Sequence, residues 1–265
     1  MNDKKNKKIF ISNIIGIVGL ILFNIGMFLS FINFYYLMKE EDKLVTKKYN
    51  PELIDTNIIV DINIMSYINI PTYNQRLSGY RLGCEGVSLY MALQGLGYMN
   101  NYTLDQFMKT MPYANTPFDG YSGNPTIGHE GSNLGKRTTI YPHPLSKWAG
   151  IFASSIDLTG SSIDKLKEEL TNGHILLVFV TTNWDKPVWK YYPWSINSKG
   201  EIENNHCLCV VGYNSNGDFL VNDCHDSRNG GNSGEYWVDG KLFASIYNER
   251  KYAIAVYWQL TIFIK

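Results

Sequence analysis

The chain has 265 residues, with 24 Lys+Arg against 24 Asp+Glu and a formal net charge of +0, so it lacks the basic excess that a nucleic-acid binder requires. A hydrophobic share of 45% against 18% charged residues excludes wholesale disorder, and 19 Tyr favour a β-rich domain over a helical bundle. Four Cys are too few for a disulfide scaffold.

The first feature in chain order is a membrane signal. Lys4, Lys5, Lys7 and Lys8 precede an apolar run over 9–38, broken only by small or amide residues such as Asn13, Asn24 and Ser30. Ile14 to Ile32 carries no charge over 19 residues, which is long enough to cross a bilayer as a helix. The run is longer than a signal-peptide core and offers no small-residue cleavage site at its end, so it reads as an uncleaved anchor. The four lysines place residues 1–8 in the cytoplasm and the rest outside, as a stem over 39–63 and a domain over 64–265. The expected location is therefore the cell membrane, crossed once, with the large domain extracellular.

Within that domain, Ile64–Thr72 alternates and meets Pro71, which suggests an edge strand. Cys84 to Leu96 has helical spacing and ends at Gly95 and Gly97. Thr103-Leu-Asp-Gln106 resembles a capping box. Residues 111–144 are rich in Pro, Gly, Asn and Thr and predict a long irregular loop, a candidate lid or substrate wall. Ser161/Ser162 to Leu170 predicts a short amphipathic helix, and Ile175–Thr181 a buried strand. His206–Tyr213 and Asp218–Asp223 predict a hairpin, followed by strands at Tyr236–Val238 and Tyr252–Phe263. A leading helical region followed by strands is an α+β pattern.

Three of these positions combine into chemistry. Cys84 follows Gly83 at a helix start, where the macrodipole favours a thiolate. His206 opens a late strand and Asp223 closes the next. A thiol, a base and an acid that orients the base form the logic of nucleophilic thiol catalysis. Strand parity puts His206, Leu208, Val210 and Asp223 on one face and Cys207 and Cys209 on the other, as core thiols. A turn at Asn216-Gly217 would oppose Val210 to Asp223. A turn centred on Asn214-Ser215 would oppose His206 to Asp223 directly, and the triad reading predicts this second register.

The segments Ile68 to Gln75, Leu82-Gly-Cys-Glu-Gly-Val-Ser88 and Met91 to Gly97 resemble the start of the papain-like cysteine peptidases related to bacteriocin-processing double-glycine peptidases. The transporter-free, secreted or anchored relatives are the most similar. The similarity continues through Thr116 to Pro125, Tyr141-Pro142, Leu158 to Ser162, Gly173 to Thr182, His206 to Tyr213 and Val221-Asn-Asp223, covering about residues 64–257. The resemblance implies a papain-like α+β fold, with Cys84 as nucleophile, His206 as general base, Asp223 as its orienting partner and Gln75 as oxyanion-hole donor. It implies a peptide or protein substrate and no cofactor. Two departures stand out: Cys224 occupies the position where relatives usually carry Pro, and Gln75 precedes Cys84 by nine residues, one more than usual.

Other readings accompany this one. Glu85 at the first helical turn reads as a favourable partner of the dipole. Cys207, Cys209, Cys224 and His225 offer enough ligands for zinc, although a Cys-x-Cys strand suits such a site poorly. A disulfide from Cys224 to Cys207 or Cys209 would cross the hairpin. His129 and His143 read as surface residues of the long loop, and the aromatics from Trp184 to Trp194 as a groove lining or an adhesive loop. For the whole protein, the alternatives to a peptidase are a catalytically inactive peptide- or protein-binding module and an acyl transferase using the same triad.

Overall fold

The computed structural model describes residues 64–226 and 229–258. The expected membrane anchor and stem lie outside the described residues. Among those that are described, no helix is long and apolar enough to cross a membrane.

The core of the fold is an antiparallel sheet. Its central strand β3 (Ile175–Thr181) is buried at every position, as its unbroken apolar run requires. Strands β2 (Ser154–Asp157), β9 (Ala253–Tyr257), β3, β6 (Asn205–Asn214), β7 (Phe219–Asp226) and β8 (Asn232–Val238) lie side by side in that order. β1 (Ile64–Tyr67) pairs with the far end of β6. It stops short of Pro71, so the predicted strand is half as long as its alternation suggested. A two-stranded ribbon, β4 (Trp189–Lys190) and β5 (Glu201–Ile202), stands apart.

Side-chain alternation divides the sheet into two apolar layers. Leu177, Phe179, Cys207, Cys209, Ile254 and Val256 point to one face. There they meet helix α1 (Cys84–Gly95), α2 (Leu104–Met108) and α3 (Pro142–Ala149). Leu176, Val178, Leu208, Val210 and Val221 point to the other, where α4 (Ile163–Thr171) and α5 (Gly240–Tyr247) cover them. The fold is thus α+β with helices on both faces. The expectation of one leading helical region missed α5, which Asp239 caps by accepting from the N–H groups of Lys241 and Leu242. It also missed α3, which starts with Pro142 in the first turn and shortens the long loop.

The Thr103 capping box forms as predicted, with the Gln106 side chain returning to the Thr103 N–H. Helix α1 begins at Cys84 and is buried through its first ten residues. That burial fixes the Cys84 end against the sheet, because the helix cannot rotate without exposing Val87, Met91 or Leu93.

Candidate active site

β6 and β7 carry His206 and Asp223. Their hairpin follows neither predicted register. Tyr213 opposes Phe219, Asn214 N–H donates to Asp218 O (3.0 Å), and Gly217 adopts φ +90°. The turn therefore has three residues, a length that recruits glycine at its last position. An irregularity between Val210 and Gly212 shifts the pairing once more, so that Cys209 opposes Asn222. Continuing that register by one step puts Asp223 opposite Leu208, diagonal to His206. The predicted parity is retained, and the diagonal is within reach of two side chains on one face. His206 Nε2 and Asp223 Oδ1 are 2.6 Å apart. Asp223 also accepts from the His225 N–H (2.8 Å) and the Tyr236 hydroxyl (2.8 Å).

This surrounding sets the charges of the pair. Burial opposes ionisation of Asp223, but the His206 charge, its hydrogen bond and the two further donors outweigh burial and lower the carboxyl to about 2. Burial pulls His206 down, and the Asp223 charge and hydrogen bond overcome it, leaving the imidazole raised. The Asp223 bond occupies Nε2 and leaves Nδ1 for a second partner.

A cavity of about 200 Å³ lies beside the pair. His206, Cys84, Gln75, Glu85, Arg137 and His225 contribute to its wall. Gln75, nine-tenths and more buried, belongs to a turn before α1, and its Nε2 donates to Arg81 O (3.1 Å). Three of the four predicted residues thus meet at one cavity, with Asp223 behind His206. No hydrogen bond joins Cys84 to His206 among the described residues.

The thiol differs from expectation in its resting charge. Burial, followed by the negative charge of Glu85, pushes Cys84 well above the ordinary thiol range. The helix N-terminus does not offset that, because Cys84 is withdrawn from water at the helix–sheet junction.

Glu85 keeps the first-turn position in which it can partner the dipole, but it is 1% exposed, a burial that its sequence position did not announce. Its Oε1 accepts from the Thr139 hydroxyl and, at 3.4 Å, from the Asn205 amide, while Oε2 lacks a protein partner. Burial raises its carboxyl. Only tertiary structure brings Thr139 and Asn205 to it.

All four cysteines are free, so neither proposed disulfide forms. Among the described residues, the group that could offer metal ligands is His206, Asp223 and Cys224, whose ligand atoms lie within 4.8 Å of one another. Cys207 and Cys209 are not in it; both are core thiols, as parity predicted. His129 is exposed, as the surface reading expected, and also reaches the cavity wall, whereas His143 lies in the open 3.6 Å from Asp157. Trp184 is core and donates to the Tyr236 hydroxyl.

Residues 67–255 match the Peptidase_C39 like family, and the chain belongs to that family. An uncharacterised protein of Bacillus subtilis (strain 168), YvpB, is 32% identical over 171 residues, which span 61% of this chain and 66% of that protein, just under two thirds of its length. A crystal structure of a candidate C39-like peptidase from Bacillus anthracis superimposes with a TM-score of 0.56 at 21% identity, covering 74% of this chain and 98% of the other. At that identity the likeness speaks for the fold alone.

Proposed function

We propose that this member of the Peptidase_C39-like family is a membrane-anchored, outward-facing cysteine peptidase that hydrolyses a peptide or amide bond. Cys84 is the nucleophile. His206 receives the thiol proton at Nδ1 as sulfur attacks the carbonyl, then gives it to the leaving amine. Asp223 holds the Nε2–H and the imidazolium charge. The tetrahedral oxyanion is met by the Gln75 carboxamide and the Cys84 N–H, which as the first of the helix has no intrahelical acceptor. Water, activated by His206, then releases the acyl group from sulfur. The anchor rests on the uncharged run between Ile14 and Ile32 and the lysines before it.

The observation that carries this reading is the 2.6 Å His206–Asp223 pair, beside a cavity that Cys84 and Gln75 also line. The resting separation of Cys84 from His206 is compatible with it, because such bonds tighten when substrate enters. The test is a peptide-library digest with the wild-type chain and Cys84→Ala. Cleavage by the wild type alone supports the reading, and equal cleavage by both sinks it.

A second reading has its own observation. A protonated, buried Cys84 with no bond to His206 also suits a catalytically silent module that binds a peptide in the same cavity. It predicts retention of library peptides without cleavage. Transfer of the acyl group to an amine would instead appear as an amide product when an amine is added.

A further inference from the structure

We infer that Cys224 is a positioning residue for the oxyanion hole, its thiol holding the Gln75 carboxamide with the nitrogen end available to the reacting carbonyl. The inference rests on the peptidase reading above and adds a residue that this reading does not use.

Gln75 lies in a turn, so no helix or strand fixes its side chain. Two bonds from Cys224 do so instead. The Gln75 N–H donates to Cys224 O (3.0 Å), which ties the backbone to the end of β7. The Cys224 thiol donates to Gln75 Oε1 at 3.2 Å, its shortest contact with an acceptor; Cys84 O and Cys207 O are 3.8 and 3.9 Å away. At the other end of the amide, Nε2 donates one hydrogen to Arg81 O. Its second hydrogen has no protein acceptor among the described residues.

A carboxamide can turn over, exchanging oxygen and nitrogen. Turned over here, Oε1 would face the Arg81 carbonyl, two acceptors together, and the thiol hydrogen would face an NH₂. The two contacts therefore select one orientation, and the thiol contributes only while it keeps its proton. Burial, followed by the charge of Asp223, keeps it protonated at neutral pH. Ser88 Oγ also reaches the sulfur, at 3.7 Å.

Two probes of Cys84 separate this role from a general effect on the fold. With p-nitrophenyl acetate, the Cys84 S–C bond forms through a tetrahedral oxyanion, the ester C–O bond breaks, p-nitrophenolate leaves and the thiol proton passes to His206. With iodoacetamide, the S–C bond forms as iodide leaves and the thiol proton again passes to His206, and no carbonyl oxygen gains charge. Both are followed on the full chain by mass mapping of Cys84. Gln75→Ala should slow acylation by about 10²-fold, the usual cost of an oxyanion donor. Cys224→Ala should slow it by about tenfold, the cost of a donor present but misplaced. Cys224→Ser, which restores a donor, should recover most of the rate. Adding Cys224→Ala to Gln75→Ala should cost nothing further. Alkylation should be the same in all four variants and the wild type.

The inference is overturned if Cys224→Ala leaves acylation unchanged, if it slows alkylation equally, or if the two substitutions multiply. A wild-type Cys84 inert to both probes overturns the peptidase reading itself, and the inference with it.

Discussion

Asp223 gives the most quantitative prediction. In the fold it accepts three hydrogen bonds, from His206, His225 and Tyr236, and its carboxyl falls from 3.8 to about 2. A difference of just under two pH units corresponds to about 2 kcal/mol in favour of the ionised, folded form. The folded value lies below the unfolded one, so this stability is complete above about pH 4. It is lost as pH falls through the folded value near 2. Asp223→Ala removes that contribution and leaves a buried His206 without its charge partner, a class of change that costs about 3–5 kcal/mol. For a domain of this size that is a fall in Tm of roughly 10 °C at pH 7. Asp223→Asn keeps an oxygen for the His206 Nε2–H but not the charge. It should cost about 2 kcal/mol and flatten the decline of stability between pH 4 and 2. Calorimetry of the full chain in mild detergent across that range is the assay. An Ala variant within about 2 °C of wild type, or an Asn variant with an unchanged acid slope, would show that the Asp223 charge does not stabilise the fold. In turnover, Ala should lose on the order of 10²-fold while Asn retains most activity, since Cys-His-Asn sites work by the same geometry.

Three further outcomes follow from the same contacts. Glu85→Gln removes the nearest negative charge from Cys84 and should lower its thiol pKa, read as faster iodoacetamide alkylation at fixed neutral pH. Phe107 is fully buried and stacks on Trp148 at 4.6 Å, so Phe107→Ala should cost about 3–5 kcal/mol in urea unfolding and leave the pH profile of alkylation unmoved. Gly212→Ala would bring a Cβ to 2.3 Å from Ser66 O, and should detach β1 from β6, seen as faster hydrogen exchange at Ile68.

The parts of the fold that obey a period were legible in the sequence. The apolar run of β3 and the three- and four-residue steps of α1 predicted both elements within a residue or two, because burial on both faces of a strand and along one helix dictates composition. Parity paired His206 with Asp223 and sent Cys207 and Cys209 to the core, since alternation survives any even shift of register. The register itself was not legible. It depends on a three-residue turn and on one extra residue near Val211, and Asn216-Gly217 serves several turn lengths equally well. The burial of Glu85 and the raised thiol of Cys84 escaped the sequence for a common reason: a first-turn acid and a thiol at the first helical position suit an exposed helix end, and only tertiary packing over α1 buries them.

The central claim is that Cys84 is a nucleophile served by His206. It is tested most directly by the rate of iodoacetamide alkylation against pH, mapped by residue, in the wild-type chain and in His206→Ala. Cys84 should react ahead of Cys207, Cys209 and Cys224, and His206→Ala should slow it by about 10²-fold at neutral pH, the contribution of a positioned general base. A Cys84 no faster than the three core thiols, or one indifferent to His206, would contradict it and leave the cavity as a place that binds without cutting.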